Sequence, residues 1–252
     1  MKFSDLGLDR PLLNALDALG HDVPTPIQVK AIPTILDKRD VIGLAQTGTG
    51  KTGAFALPLL QRLAATRGRP VPRTCRALIL APTRELVTQI MKAVRSYGAR
   101  LKLSSTAIVG GVSIRPQKTT MARGVDIVVA TPGRLLDLID QKAMRLDHVE
   151  VLILDEADQM LDIGFMPAIR RVVSMVPAER QTLLFSATMP KEIRKLTNEH
   201  LRSPVEIAVA AVSIAPAAVA VEGFVRAGGG RAVGTTPKAG FKKGNLRLRK
   251  GN

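Results

Sequence analysis

Cysteine occurs once in the 252 residues, at Cys75, and that count excludes an intramolecular disulfide. Such a chain suits a reducing compartment, so the sequence predicts a cytoplasmic protein. Cys75 itself reads as a small filler beside the strand that follows it, not as a reactive thiol. The three histidines, His21, His148 and His200, are scattered and lack the spacing of metal ligands. Tryptophan is missing, tyrosine occurs once and phenylalanine six times, so flat platforms for stacking bases are scarce. The longest apolar run, 208–221, is broken by Ser213 and Pro216 and falls short of the roughly 20 residues that span a bilayer. The opening MKFSDLGLDR is charged early and has no apolar stretch of the kind a secretory signal needs. No membrane role is expected.

Acidic residues are the remaining shortage. Asp and Glu number 21 against 37 Lys and Arg, which leaves a net charge of +16. A surplus of that size favours polyanionic partners, nucleic acid before an anionic membrane surface. From 206 to 252 there are eight basic residues against two Glu, so the rest of the chain is basic as well.

What is present is an alternation. Short aliphatic runs at 40–45, 76–81, 103–109, 125–130, 149–154, 181–187 and 204–209 read as strands. Helix-period segments such as 83–97 and 190–201 lie between them. The pattern predicts an α/β fold, a doubly wound and mostly parallel sheet with helices on both faces, over residues 1–209. Ligands of such sheets sit beyond the carboxyl ends of the strands. Residues 210–222 read as an Ala/Val-rich linker, and 223–252 as a disordered tail of glycine and basic residues.

Directly after the first strand comes AQTGTGKTG, with Ala45 where a phosphate loop of the general kind starts on glycine. Gly48 and Gly50 let backbone N–H groups turn towards a phosphate, and a helix starting near Lys51 points its positive end there. Lys51 can reach the β- and γ-phosphates, and Thr52 offers a hydroxyl to Mg²⁺. About 100 positions later, VLILDEAD (151–158) ends a buried strand on three carboxylates. They read either as a solvated strand end or as the counterpart of a phosphate-bound Mg²⁺. In the second reading Asp155 holds the metal through water, Glu156 is the general base for the attacking water, and Asp158 couples.

DEAD at 155–158 together with AQTGTGKT at 45–52 resembles the first RecA-like domain of a DEAD-box RNA helicase, a P-loop NTPase. Further motifs follow in that family's order: PTPIQ (24–28), PTREL (82–86), GG (110–111), TPGR (131–134) and SAT (186–188). The resemblance covers roughly 3 to 209, and the SDLGL start and spacing resemble bacterial RhlE-type members. It implies ATP and Mg²⁺ as cofactors and RNA as partner. Catalysis would rest on Lys51, Asp155 and Glu156, with Mg²⁺ near Thr52 and Asp155. ATP contacts would come from Phe3, His21, Thr25 and Gln28, the last reading the adenine edge, and from Gln46, Thr47, Gly48, Thr49, Gly50, Lys51 and Thr52. His21 stands where the family usually has Phe or Tyr, and reads either as a smaller stacking ring or as a surface side chain.

RNA contacts would come from Pro82, Thr83 and Arg84, from Gly110 and Gly111, and from Thr131, Pro132, Gly133 and Arg134. These positions suit backbone recognition without base readout. Ser186 and Thr188 would join Asp158 in coupling hydrolysis to domain closure. The family's second RecA-like domain carries arginine fingers in a motif resembling HRxGRxxR, and residues 190–252 contain none. The sequence therefore reads as truncated or internally deleted, and FKKGNLRLRKGN at its end resembles the extension after the second domain of full-length relatives. Two functions follow: an ATP-dependent RNA helicase with weak isolated activity, or a non-catalytic nucleotide- and RNA-binding module that competes with or complements a full-length helicase.

Overall fold

A computed structural model describes residues 1–66 and 70–209. The linker and tail expected at 210–252 lie outside the described residues. The described residues belong to one compact unit.

Seven strands form one sheet: β1 (Val41–Leu44), β2 (Cys75–Leu80), β3 (Ser105–Ile108), β4 (Val125–Ala130), β5 (Val151–Asp155), β6 (Gln181–Ser186) and β7 (Val205–Ala208). Their spatial order is β3-β4-β2-β5-β6-β1-β7, and all six pairings are parallel. Cys75 is the first residue of β2 rather than its neighbour, and it is fully buried.

The inner strands are largely aliphatic on both faces because both faces are covered, whereas the edge strands β3 and β7 are only partly buried. In β2, Ala77 and Ile79 enter one core while Leu78 and Leu80 enter the other. Val151 and Ile153 of β5 side with Ile79, Leu152 and Leu154 with Leu80. The first core is covered by α1 (Arg10–Ala18), α2 (Pro26–Leu36), α3 (Lys51–Ala65) and α4 (Arg84–Tyr97). The second is covered by α5 (Ile114–Met121), α6 (Pro132–Asp140), α7 (Ala157–Asp162), α8 (Met166–Met175) and α9 (Lys191–His200).

This division follows from handedness. Parallel crossovers are right-handed, so connections running one way along a sheet lie on one face and those running back lie on the other. From β1 to β2 to β3 the chain moves towards the β3 edge, carrying α3 and α4. From β3 onward it moves towards the β7 edge, carrying α5 to α9. Among the described residues no helix is long and apolar enough to cross a membrane.

Candidate functional site

The carboxyl ends of the strands make one edge, and nearly all the motif loops lie along it. Strand order sorts them. The loops after β1, β5 and β6 carry 45–52, 155–158 and 186–188, while those after β2, β3 and β4 carry 82–86, 110–111 and 131–134. Since β3, β4 and β2 are neighbours and β5, β6 and β1 are neighbours, the edge has two halves.

In the first half the chain leaves β1 through Gly48 and Gly50, with φ of 84° and 90°. Only glycine holds that conformation without strain. Gly50 is the N-cap of α3, so a 15-residue helix directs its positive end at the loop. The Thr49 hydroxyl donates to the Gln46 carbonyl at 2.6 Å and closes the turn. Lys51 is 6% exposed, and among the described residues its Nζ has no hydrogen-bond partner. Glu156 Oε1 lies 3.9 Å from that nitrogen, and the Thr47 hydroxyl donates to the same oxygen at 3.1 Å. Thr52 follows, half-buried. A buried ammonium without an acceptor is costly until an anion reaches it.

Gln28 rests on this loop. The Thr25 N–H donates to Gln28 Oε1 at 2.9 Å, and Gln28 Nε2 donates to the Gly50 carbonyl at 3.1 Å. A Cβ on Gly50 or Gly53 would stand 2.7 or 2.6 Å from the same Nε2. One N–H and one lone pair of the amide stay available to a ligand. Among the described residues the buried Thr25 Oγ1 has no hydrogen-bond partner. The aromatic pair lies apart. Phe3 is spent on the first core, and with His21 it borders a cavity of about 500 Å³ to which Gln28 and the phosphate loop contribute nothing. The His21 ring is exposed and sits 6.0 Å from that of Tyr97, tilted by 57°.

The three carboxylates of 155–158 have three different environments. Asp155 closes β5 at 2% exposure, and burial lifts its carboxyl to about 7 despite the pull of Lys51. Glu156 takes φ 54° and ψ 54°, a left-handed conformation uncommon for a residue with a side chain. That bend ends the strand, and the Glu156 N–H donates to Asp155 Oδ1 at 3.1 Å. Asp158 faces the loop after β6. Its Oδ2 accepts from the Ala187 N–H at 3.2 Å, the Thr188 N–H at 2.9 Å and the Thr188 hydroxyl at 3.0 Å. Its own N–H donates to Ser186 Oγ at 3.2 Å. Burial works to raise this carboxyl, but hydrogen bonds from Ser186 and Thr188 outweigh it and hold it below the ordinary value.

In the second half, Pro82 is buried and Thr83 caps α4, its hydroxyl accepting from the Leu86 N–H at 3.2 Å. Arg84 is exposed beside Gly111, where any Cβ would overlap the guanidinium; at Gly110 a Cβ would meet nothing. Thr131 and Pro132 are buried at the start of α6, and Gly133 is exposed. Arg134, expected as an RNA contact, is also tied to the protein. Its Nη1 donates to the Val112 carbonyl at 2.9 Å, and its Nε lies 3.5 Å from Asp137. Gln117, which no motif flags, also holds this loop.

Residues 25–196 match the DEAD/DEAH box helicase family. The chain belongs to that family. Among relatives of this DEAD-box chain, the DEAD-box ATP-dependent RNA helicase CshA of Streptococcus pneumoniae is 45% identical over 84% of the chain, which spans 39% of that protein. The RNA helicase CrhR of Synechocystis is 44% identical over 82%, with 41% of its own length spanned. A DEAD box protein from the hyperthermophile Methanococcus jannaschii superposes with a TM-score of 0.77 at 37% identity, covering 83% of this chain and 56% of that one. The fold is RecA-like, as the sequence predicts.

Proposed function

We propose that the chain binds ATP with Mg²⁺ on the β1–β5–β6 half of its edge and an RNA backbone on the β3–β4–β2 half, as part of an ATP-dependent RNA helicase activity. The observation that carries this reading is the Lys51 ammonium, buried at 6% exposure and, among the described residues, without a hydrogen-bond partner behind a glycine turn and a helix N-terminus. Such a set of donors suits a polyphosphate. Lys51 would leave Glu156 for the β- and γ-phosphate oxygens.

Asp155 supports a cation: a carboxyl raised to about 7 by burial ionises readily once a positive charge arrives. Among the described residues no cluster of three His, Cys, Asp or Glu could hold a metal alone. Mg²⁺ commonly keeps several waters and leans on substrate phosphates, with Thr52 and Asp155 as the protein side here. Bound there, it would neutralise charge developing on the transferred phosphoryl group. Glu156, freed from Lys51, is the base for the attacking water, and its fixed bend keeps the carboxylate in reach of the loop. Gln28 reads adenine with the N–H and lone pair it has left. Asp158 ties this centre to Ser186 and Thr188, the pair we assign to coupling. A cytoplasmic setting follows from this reading.

Replacing Lys51 with Ala tests it. In wild type, ATP·Mg²⁺ at about 100 times its Kd adds about 2.7 kcal/mol and raises the melting midpoint. Lys51→Ala should lose that rise, and an unchanged rise would contradict the assignment. Because the chain spans about two-fifths of its bacterial relatives (39% and 41%), a second reading also stands. It is a binding module with slow turnover that complements a longer helicase. Steady-state ATPase with and without RNA, with Glu156→Gln as the inactive baseline, separates the two.

A further inference from the structure

The loop after β3 (109–113) is held by two side chains and flanked by a third. Gly111 lies against Arg84, the Val112 carbonyl accepts from Arg134, and both ends of the turn belong to Gln117. Gln117 sits on α5 at 8% exposure. Its Oε1 accepts from the Val109 N–H at 3.2 Å. Its Nε2 donates to the Val109 carbonyl at 3.1 Å and to the Ser113 carbonyl at 3.1 Å. Both N–H donors of the amide are consumed, so this side chain has no donor for a ligand.

Among the described residues, no backbone acceptor pairs with the N–H of Gly110 or Gly111. A Cβ at Gly110 would also meet open space. The turn therefore presents two consecutive free amides and a bare Cα, the shape in which backbone donors take an anion. We infer that Gln117 is a positioning residue for RNA: by tying Val109 to Ser113 it keeps the Gly110–Gly111 amides turned outward to seat a phosphate. This rests on the RNA reading of the β3–β4–β2 half. Gln117 touches no RNA itself. Without it, the turn would have to be ordered by the ligand, at a cost of backbone entropy.

The test uses the full chain and a single-stranded oligouridine. Gln117→Leu keeps the volume and removes all three hydrogen bonds. Oligouridine affinity should fall about tenfold, the cost of fixing roughly one residue of backbone. The ATP·Mg²⁺ shift of the melting midpoint should stay as in wild type. Amide exchange should quicken at 109–113, and oligouridine, which slows those amides in wild type, should no longer do so. Gln117→Glu keeps the acceptor for the Val109 N–H but faces two carbonyls with a carboxylate. It should lose as much affinity as Gln117→Leu, and it carries the test if that variant does not fold.

Equal affinity and equal protection in the variant overturn the inference while leaving the RNA reading intact. A parallel loss of the ATP·Mg²⁺ shift also overturns it, since that marks a merely structural role. A wild-type chain on which oligouridine protects none of these amides overturns the RNA reading and this inference together.

Discussion

At the scale of single residues, the site stores its readiness in buried ionisable groups. Asp155 is the clearest. Its carboxyl is raised to about 7 when folded and sits near 3.8 in the unfolded chain, so folding favours the protonated form. Its contribution to stability is complete below the unfolded value and is lost as pH rises through about 7. Asp155→Asn mimics the neutral carboxyl. In the absence of nucleotide and metal, the variant should therefore gain on wild type between pH 5 and 8 in paired melting curves; a constant difference across that range would contradict the burial argument. The two adjacent glycines make a second test. Gly111→Ala forces a Cβ into the Arg84 guanidinium at φ 69° and should lower stability. Gly110→Ala meets no protein atom, so its melting midpoint should match wild type while oligouridine binding weakens. Equal RNA affinity for Gly110→Ala would remove this glycine from the RNA surface.

At the scale of elements, packing supplies what local pattern leaves out. Gly43 in β1 is an example: a Cβ there would lie 2.5 Å from the Phe185 ring of the neighbouring β6, whose centroid is 5.4 Å from that of Phe55 of α3, the rings tilted by 50°. Gly43→Ala should cost about 1–3 kcal/mol by overpacking, read as a lower denaturant midpoint, and an unchanged midpoint would show that the ring can move aside. All seven strands among the described residues are legible within about two residues, the inner ones as continuous aliphatic runs and the edge strands β3 and β7 as shorter β-branched stretches. Helices were harder. Pro33 and Pro58 lie inside α2 and α3, where local rules end a helix, and tertiary packing carries both helices through. Within the candidate site, motif spacing flags Lys51, Asp155 and Glu156, and the fold brings the three together. Gln117 is not flagged, since its role depends on contacts with 109 and 113 that only the folded loop creates. The inward turn of Arg134 was unreadable for the same reason.

At the scale of the whole molecule, the strand order does the organising. Nothing in the local sequence states that β2 and β5 are neighbours, yet that pairing joins the half proposed for nucleotide and the half proposed for RNA into one continuous edge. Asp158 bridges β5 to the loop after β6 within the half proposed for nucleotide, and the two halves meet both at the β2–β5 pairing and where α3 packs on α4. The net charge of +16 adds a long-range attraction for RNA that salt should weaken, at about −0.7 in log K per log salt for each phosphate neutralised on a single strand. The division of the edge is the central claim, and amide hydrogen exchange with each ligand added separately tests it directly. ATP·Mg²⁺ should slow exchange at 46–52 and 155–158 and leave 110–113 and 131–134 unchanged, while oligouridine should do the reverse. Both ligands protecting the same loops, or neither protecting any, would contradict it.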